Sequence, residues 1–171
     1  MVEIKSAQII LKIVSLVVLF IAMVVGCHAH FNNTWTTLWG TENYPEVCKK
    51  TFANCPSSAM GMERTFVAFT IIIFVLSIAN IVVGFLIDPK KNKIPDTGYH
   101  AVAGVILLIA GCLMIAAARG IDSAMVPEGI PSEARKSLWK GLKYSNKLAG
   151  GSMAIIDGLL YVITAGVIFK Y

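Results

Sequence analysis

Apolar residues in this chain gather into four long runs, at about 7–26, 65–87, 99–118 and 148–169, instead of alternating with polar ones. Each run approaches the roughly 20 residues that a helix needs to cross a hydrocarbon core. Only a helix can satisfy its own backbone in lipid over such a length. The pattern therefore predicts an all-α membrane protein, an antiparallel four-transmembrane-helix bundle occupying residues 1–171 as one domain. Between the runs it predicts an outer loop at 28–63, a tight turn at 88–97 and a second outer loop at 120–147. The first run also has the outline of a signal peptide, with Lys5 and Lys12 before or within it and Cys27-His28-Ala29 behind it. Its apolar stretch, 13–26, is long for one, and the reading keeps four spans.

Composition sharpens this picture. Hydrophobic residues make up 56% and charged residues 15%, whereas a soluble domain carries about 25% charge. No segment is left over to bury a soluble core. The net charge of +5 does not point to nucleic acid, because the cations flank the apolar runs, where lipid head groups meet them.

Orientation draws on opposing signals. With both termini cytoplasmic, Lys5, Lys12, Lys90, Lys91, Lys93 and Lys170 lie inside, and the other nine of the 15 Lys and Arg lie outside. The positive-inside rule leans the other way. The first loop, however, holds Cys48 and Cys55, a pair that suits an oxidising compartment, and the sequon Asn32-Asn33-Thr34, making Asn32 a candidate glycosylation site. The compact Lys-rich turn also suits the cytoplasm. The expectation is cytoplasmic termini in a plasma-membrane or junctional protein.

Candidate chemistry is sparse. Asp157 lies in the middle of the fourth run, at a depth where a carboxylate normally faces protein or water. Small residues at Gly151, Ala154 and Gly158 give that span a face for close packing, matched by Ala103-Gly104 and Ala110-Gly111 in the third. Asp157 borders this face, so it is expected to point inward, with Ser77 and Asn80 of the second span as partners in an interhelical clasp or a polar pathway. Cys27, His28 and His30 have metal-ligand chemistry but lack an evident fourth group, and they are read as interfacial residues; no metal or other cofactor is expected. Trp35 and Trp39 suit an aromatic belt or an extracellular contact surface. In the second loop, Ser132 is a candidate N-cap for a basic amphipathic helix over 133–147. No nucleophile–base grouping, phosphate loop or carboxylate pair is present, so an enzyme is not expected.

Trp35, Leu38-Trp39, Cys48 and Cys55, in the first outer loop of a four-span chain, resemble the claudin and peripheral-myelin-protein group. The stretch from Asp96 to Ala118, following a short basic turn, is similar to MARVEL-type tetraspans, including Snakeskin-type septate-junction proteins with a polar residue in the last span. Both resemblances imply a non-enzymatic role in organising membrane domains or cell junctions, through lateral and outer-loop contacts with other membrane proteins or copies of itself. Two alternatives accompany it: a channel or transporter accessory subunit or small conduit using Asp157 and Asn80, and a vesicle-trafficking or lipid-handling adaptor.

Overall fold

The structure, a computed structural model, describes residues 2–39, 44–51, 55–87, 89–126 and 129–170. It is built from helices α1 (Val2–Phe31), α2 (Thr34–Trp39), α3 (Tyr44–Thr51), α4 (Ala59–Leu86), α5 (Pro89–Met125), α6 (Ser132–Gly141) and α7 (Tyr144–Lys170). Four of them, α1, α4, α5 and α7, are long and apolar enough to cross a membrane. The short helices α2, α3 and α6 collect at one end of the bundle, here termed the cap end. The connection between α4 and α5 marks the opposite, turn end.

The expected spans were too short. Helix α1 continues to Phe31, α4 begins at Ala59, and α5 covers nearly all of the turn predicted at 88–97. Pro89 explains part of this difference. At the first helical position its missing N–H costs nothing, and its fixed φ favours helix. The second loop differs too: Ser132 is the first helical residue of α6, preceded by Pro131 as cap, and the helix stops at Gly141. Lys143 then takes a left-handed φ of 53°, which ends α6 and redirects the chain into α7. An L side chain is strained there by about 1–2 kcal/mol. Lys143→Gly is therefore expected to raise stability by about 1 kcal/mol, read as a higher unfolding temperature in detergent.

Helices α5 and α7 form the most extensive contact in the bundle. Their buried positions follow one another every three and four residues. In α7 these are Lys147, Gly150-Gly151, Ala154, Asp157-Gly158, Tyr161, Thr164-Ala165 and Ile168. In α5 the series is His100, Ala103-Gly104, Leu107, Ala110-Gly111, Met114, Ala117-Ala118 and Ile121. Each is a seven-residue repeat of a single position and an adjacent pair of mostly small residues, the periodicity of a left-handed supercoil. The small pairs let backbones touch. A Cβ on Gly104 would lie 2.9 Å from the carbonyl oxygen of Gly158, and one on Gly158 would lie 2.9 Å from that of Gly104. Gly111 and Gly151 repeat this reciprocal approach at 2.5 and 2.9 Å.

The rest of the bundle is inside-out by soluble standards. Isoleucine and valine cover its outer surface, among them Ile10, Val17, Val75, Val102, Ile109, Ile156 and Ile163. The buried set includes Ser15, His30, Glu63, Thr70, Ser77, Asp96, His100, Lys147, Asp157 and Thr164. An extended apolar exterior of this kind is what lipid covers.

Candidate functional site

The buried polar residues lie in layers along the bundle axis. At the cap end Glu63 of α4 stands between a lysine and a histidine. Its Oε1 is 2.6 Å from Lys147 Nζ of α7, and its Oε2 is 2.9 Å from His30 Nδ1 of α1. All three residues are buried, so this triad ties α1, α4 and α7 together out of water. At the turn end Lys12 Nζ of α1 lies 2.6 Å from Asp96 Oδ2 of α5 and donates to Asn80 Oδ1 of α4 at 3.3 Å. Asp96 Oδ1 is 3.1 Å from His100 Nδ1, which also donates to the Asp96 carbonyl oxygen at 2.8 Å. Each cluster thus places a carboxylate between a lysine and a histidine.

A hydroxyl layer sits on the turn-end cluster. Ser77 Oγ of α4 is within hydrogen-bonding reach of both Tyr99 of α5, at 2.6 Å, and Tyr161 of α7. Ser77 also donates to the Ile73 carbonyl. The His100 ring packs on Tyr161 with centroids 5.3 Å apart and on Tyr99 at 5.2 Å. Hydrogen bonds and ion pairs link Lys12 through Asp96 to His100, and ring packing joins His100 to the Ser77, Tyr99 and Tyr161 layer.

Asp157 occupies the next turn of α7, fully buried, and neither carboxylate oxygen has a hydrogen-bond partner. The expected clasp is corrected here. Ser77 is engaged one turn further on, by Tyr161 and Tyr99, and Asn80 lies beyond it with Lys12. What Asp157 faces instead follows from register. Gly150, two turns earlier on the same side, packs on Gly26 and Ala22 of α1, where its Cβ would lie 3.2 Å from the Gly26 backbone. Stepping two turns toward the turn end along both helices brings Asp157 to the level of Leu19 and Ser15. Ser15 Oγ is likewise buried without a partner.

Between Asp157 and the cap-end triad lies an apolar layer of Ala22, Phe66, Ala110, Met114 and Ala154. Sequence reading missed both ionic clusters, because it ended the apolar runs where charges began. The signal was present in phase: Lys147 continues the Gly150, Ala154, Asp157 spacing by one more turn.

The cap has its own core. Trp35, Cys48, Ala59, Met60, Ala117, Ile121 and Leu142 are buried together. Cys48 and Cys55 are joined by a disulfide. Trp35 is therefore a packing residue and not an exposed contact: its indole is enclosed by neighbouring elements. The Trp39 side chain lies outside the described residues. Asn33 closes the step from α1 to α2, its Oδ1 accepting from Thr36 N at 2.8 Å and its Nδ2 donating to the carbonyls of Ala29 and His30. Asn32 beside it is exposed.

Comparison with family models, with characterised proteins and with solved structures finds no match to this chain. Function must therefore be argued from the side chains themselves.

The outward face of the cap is basic. Helix α6 buries none of its residues. It is moored by Trp139, whose Nε1 donates to Asp122 Oδ1 of α5 at 2.6 Å and whose ring stacks on Tyr144 at 5.1 Å. Beside it Lys136, Lys140, Lys143, Ser145 and Asn146 surround a recess of about 300 Å³. His28 is exposed while His30 is buried against Glu63, and the described residues contain no group of three ligands.

Losing the mooring bond exposes its value. Asp122→Ala is expected to cost about 1–3 kcal/mol, because the Trp139 N–H loses its charged acceptor. Faster proteolysis between α5 and α7 would report this loosening.

Proposed function

We propose that this chain is a non-enzymatic integral membrane tetraspan that organises membrane domains or cell junctions by binding other membrane proteins or further copies of itself. Its four spans form an antiparallel bundle with both termini in the cytoplasm and the cap outside. The Cys48–Cys55 bridge supports that orientation, since such a bond persists in an oxidising compartment.

The observation that carries the reading is the cap. Crossing a bilayer four times requires only short connections. This chain instead gives its connections a separate hydrophobic core, a disulfide, a mooring bond and a buried ion triad beneath them. The result is a fixed platform whose free face is α6, with Lys136 and Lys140 exposed and Arg135 laid over the Trp139 ring. Pre-ordered surfaces bind with less entropic loss than mobile loops. A cationic one selects acidic partners by steering and by repelling basic ones.

Charge reversal on the platform tests this. Lys136→Glu with Lys140→Glu is expected to abolish partner capture or clustering, read by proximity labelling at equal surface abundance. Both side chains are on a helix without buried residues, so folding should be unaffected. Capture that survives the reversal would sink the reading. Cys48→Ser with Cys55→Ser should weaken capture as well, by removing about 2–3 kcal/mol of constraint from the cap.

A further inference from the structure

Asp157 has no role in the platform, yet it is the residue whose burial is hardest to reconcile with an inert bundle. Its carboxyl group is fully buried with both oxygens unpartnered, and Ser15, at the same level on α1, is buried and unpartnered too. A buried carboxylate without a counter-charge is strongly disfavoured. Among the described residues, the groups facing this level from each neighbouring helix supply none. Helix α1 presents Ser15; α4 presents Thr70, whose hydroxyl donates to the Phe66 carbonyl of its own helix at 2.9 Å; α5 presents Leu107. The ion pairs on either side, Lys12 with Asp96 toward one end and Lys147 with Glu63 toward the other, neutralise one another.

The surroundings of Asp157 are also asymmetric. Toward the turn end it adjoins Tyr161, one turn along α7. Helix side chains lean toward the N-terminus, so the Tyr161 ring is carried back over the turn that bears Asp157. Tyr161 and Tyr99 both meet Ser77, and the His100 ring packs on the two tyrosines while its Nδ1 pairs with Asp96. Toward the cap end there is only the apolar layer of Ala22, Phe66, Ala110, Met114 and Ala154.

We propose that Asp157 is a proton-binding site that exchanges with one side of the membrane only, the turn-end side, through Tyr161, Ser77, Tyr99 and His100. A proton arriving from that side passes between hydroxyls and is held as an O–H on the Asp157 carboxyl. The same steps in reverse release it. The packed apolar layer keeps the opposite compartment out, so the site reports the pH of one compartment and conducts nothing. This inference stands independently of the platform.

The test uses the full chain in liposomes, sorted by which end faces outward, with difference infrared spectroscopy after a pH step across the outer face. The Asp157 carboxyl band is the one lost in Asp157→Asn. Should that variant fail to accumulate, Asp157→Glu assigns the band by displacing it. The expected result is a prompt band change when the turn end faces the step and none on that timescale when the cap end does. Tyr161→Phe should slow the response roughly a hundredfold, the low end of what a placed proton-transfer group contributes, while leaving its end point unchanged. Equal responses from both sides would overturn the proposal, as would a band that ignores every step from acid to alkaline. A band shifted at constant pH by exchanging a bulky organic cation for sodium would also overturn it, by assigning the site to a metal ion.

Discussion

Glu63→Gln is expected to destabilise the bundle by about 3–5 kcal/mol, the loss that follows when one member of a buried ion cluster is removed. Glu63 holds Lys147 at 2.6 Å and His30 at 2.9 Å. Lys147 has no alternative counter-ion within the described residues and is only 1% exposed. With glutamine at position 63 its ammonium stays buried against a neutral amide. The double variant Glu63→Gln/Lys147→Met separates the strength of the pair from the penalty of orphaning one partner. Removing both charges is close to neutral in many proteins, so the double variant should recover most of the lost stability. Unfolding in mixed micelles, followed by tryptophan fluorescence, gives the three values. If the double variant is no more stable than Glu63→Gln, the triad is not the source of the effect.

The second large effect belongs to the glycine contacts. Gly111→Ala would place a Cβ 2.5 Å from the Gly151 carbonyl oxygen, and Gly158→Ala would place one 2.9 Å from that of Gly104. These obstacles are backbone atoms in helices, and neither can rotate aside. The helices must separate, forfeiting dispersion contacts on both sides, at about 1–3 kcal/mol for each substitution. Gly84 and Gly166 provide the contrast, since a Cβ at either meets nothing within 4 Å. Alanine there should be neutral or add up to about 1 kcal/mol from helix propensity. An inverted order in the same unfolding assay would mean that α5 and α7 do not pack as described.

Much of this architecture could be read from the chain, and the reasons are physical. Lipid demands long apolar helices, so the run count gives the number of helices able to span. Close helix packing demands small residues, so Gly151, Ala154 and Gly158 mark a contact face without any structure. Partner choice is different. Ser77 and Asn80 were expected beside Asp157 because they are polar residues in the second span, but axial register between two helices comes from all their contacts together. In the folded chain that register puts Ser77 level with Tyr161 and gives Asn80 to Lys12. The ionic clusters were hidden for a related reason. A hydropathy window stops short of His30, Glu63 and Lys147, which lie on continuations of the same helices, and averages over Lys12 inside the first run; all four are shielded by partners far away in sequence. Trp35 shows the same blindness: an aromatic residue near a span end can be an interfacial anchor or a core residue, and only the neighbouring elements decide.

The position of Lys147 has a consequence for synthesis. Glu63 and His30 leave the ribosome before Lys147, so the first three spans are made with Glu63 lacking its ammonium partner and the glycine face of α5 uncovered. Helix α7 supplies the missing ammonium and covers that face in one event. Docking of α7 is thereby converted into a chemical signal inside the bundle. A nascent chain halted before Lys147 keeps the marks of an unassembled protein, and release from the insertion machinery should follow only once α7 has docked.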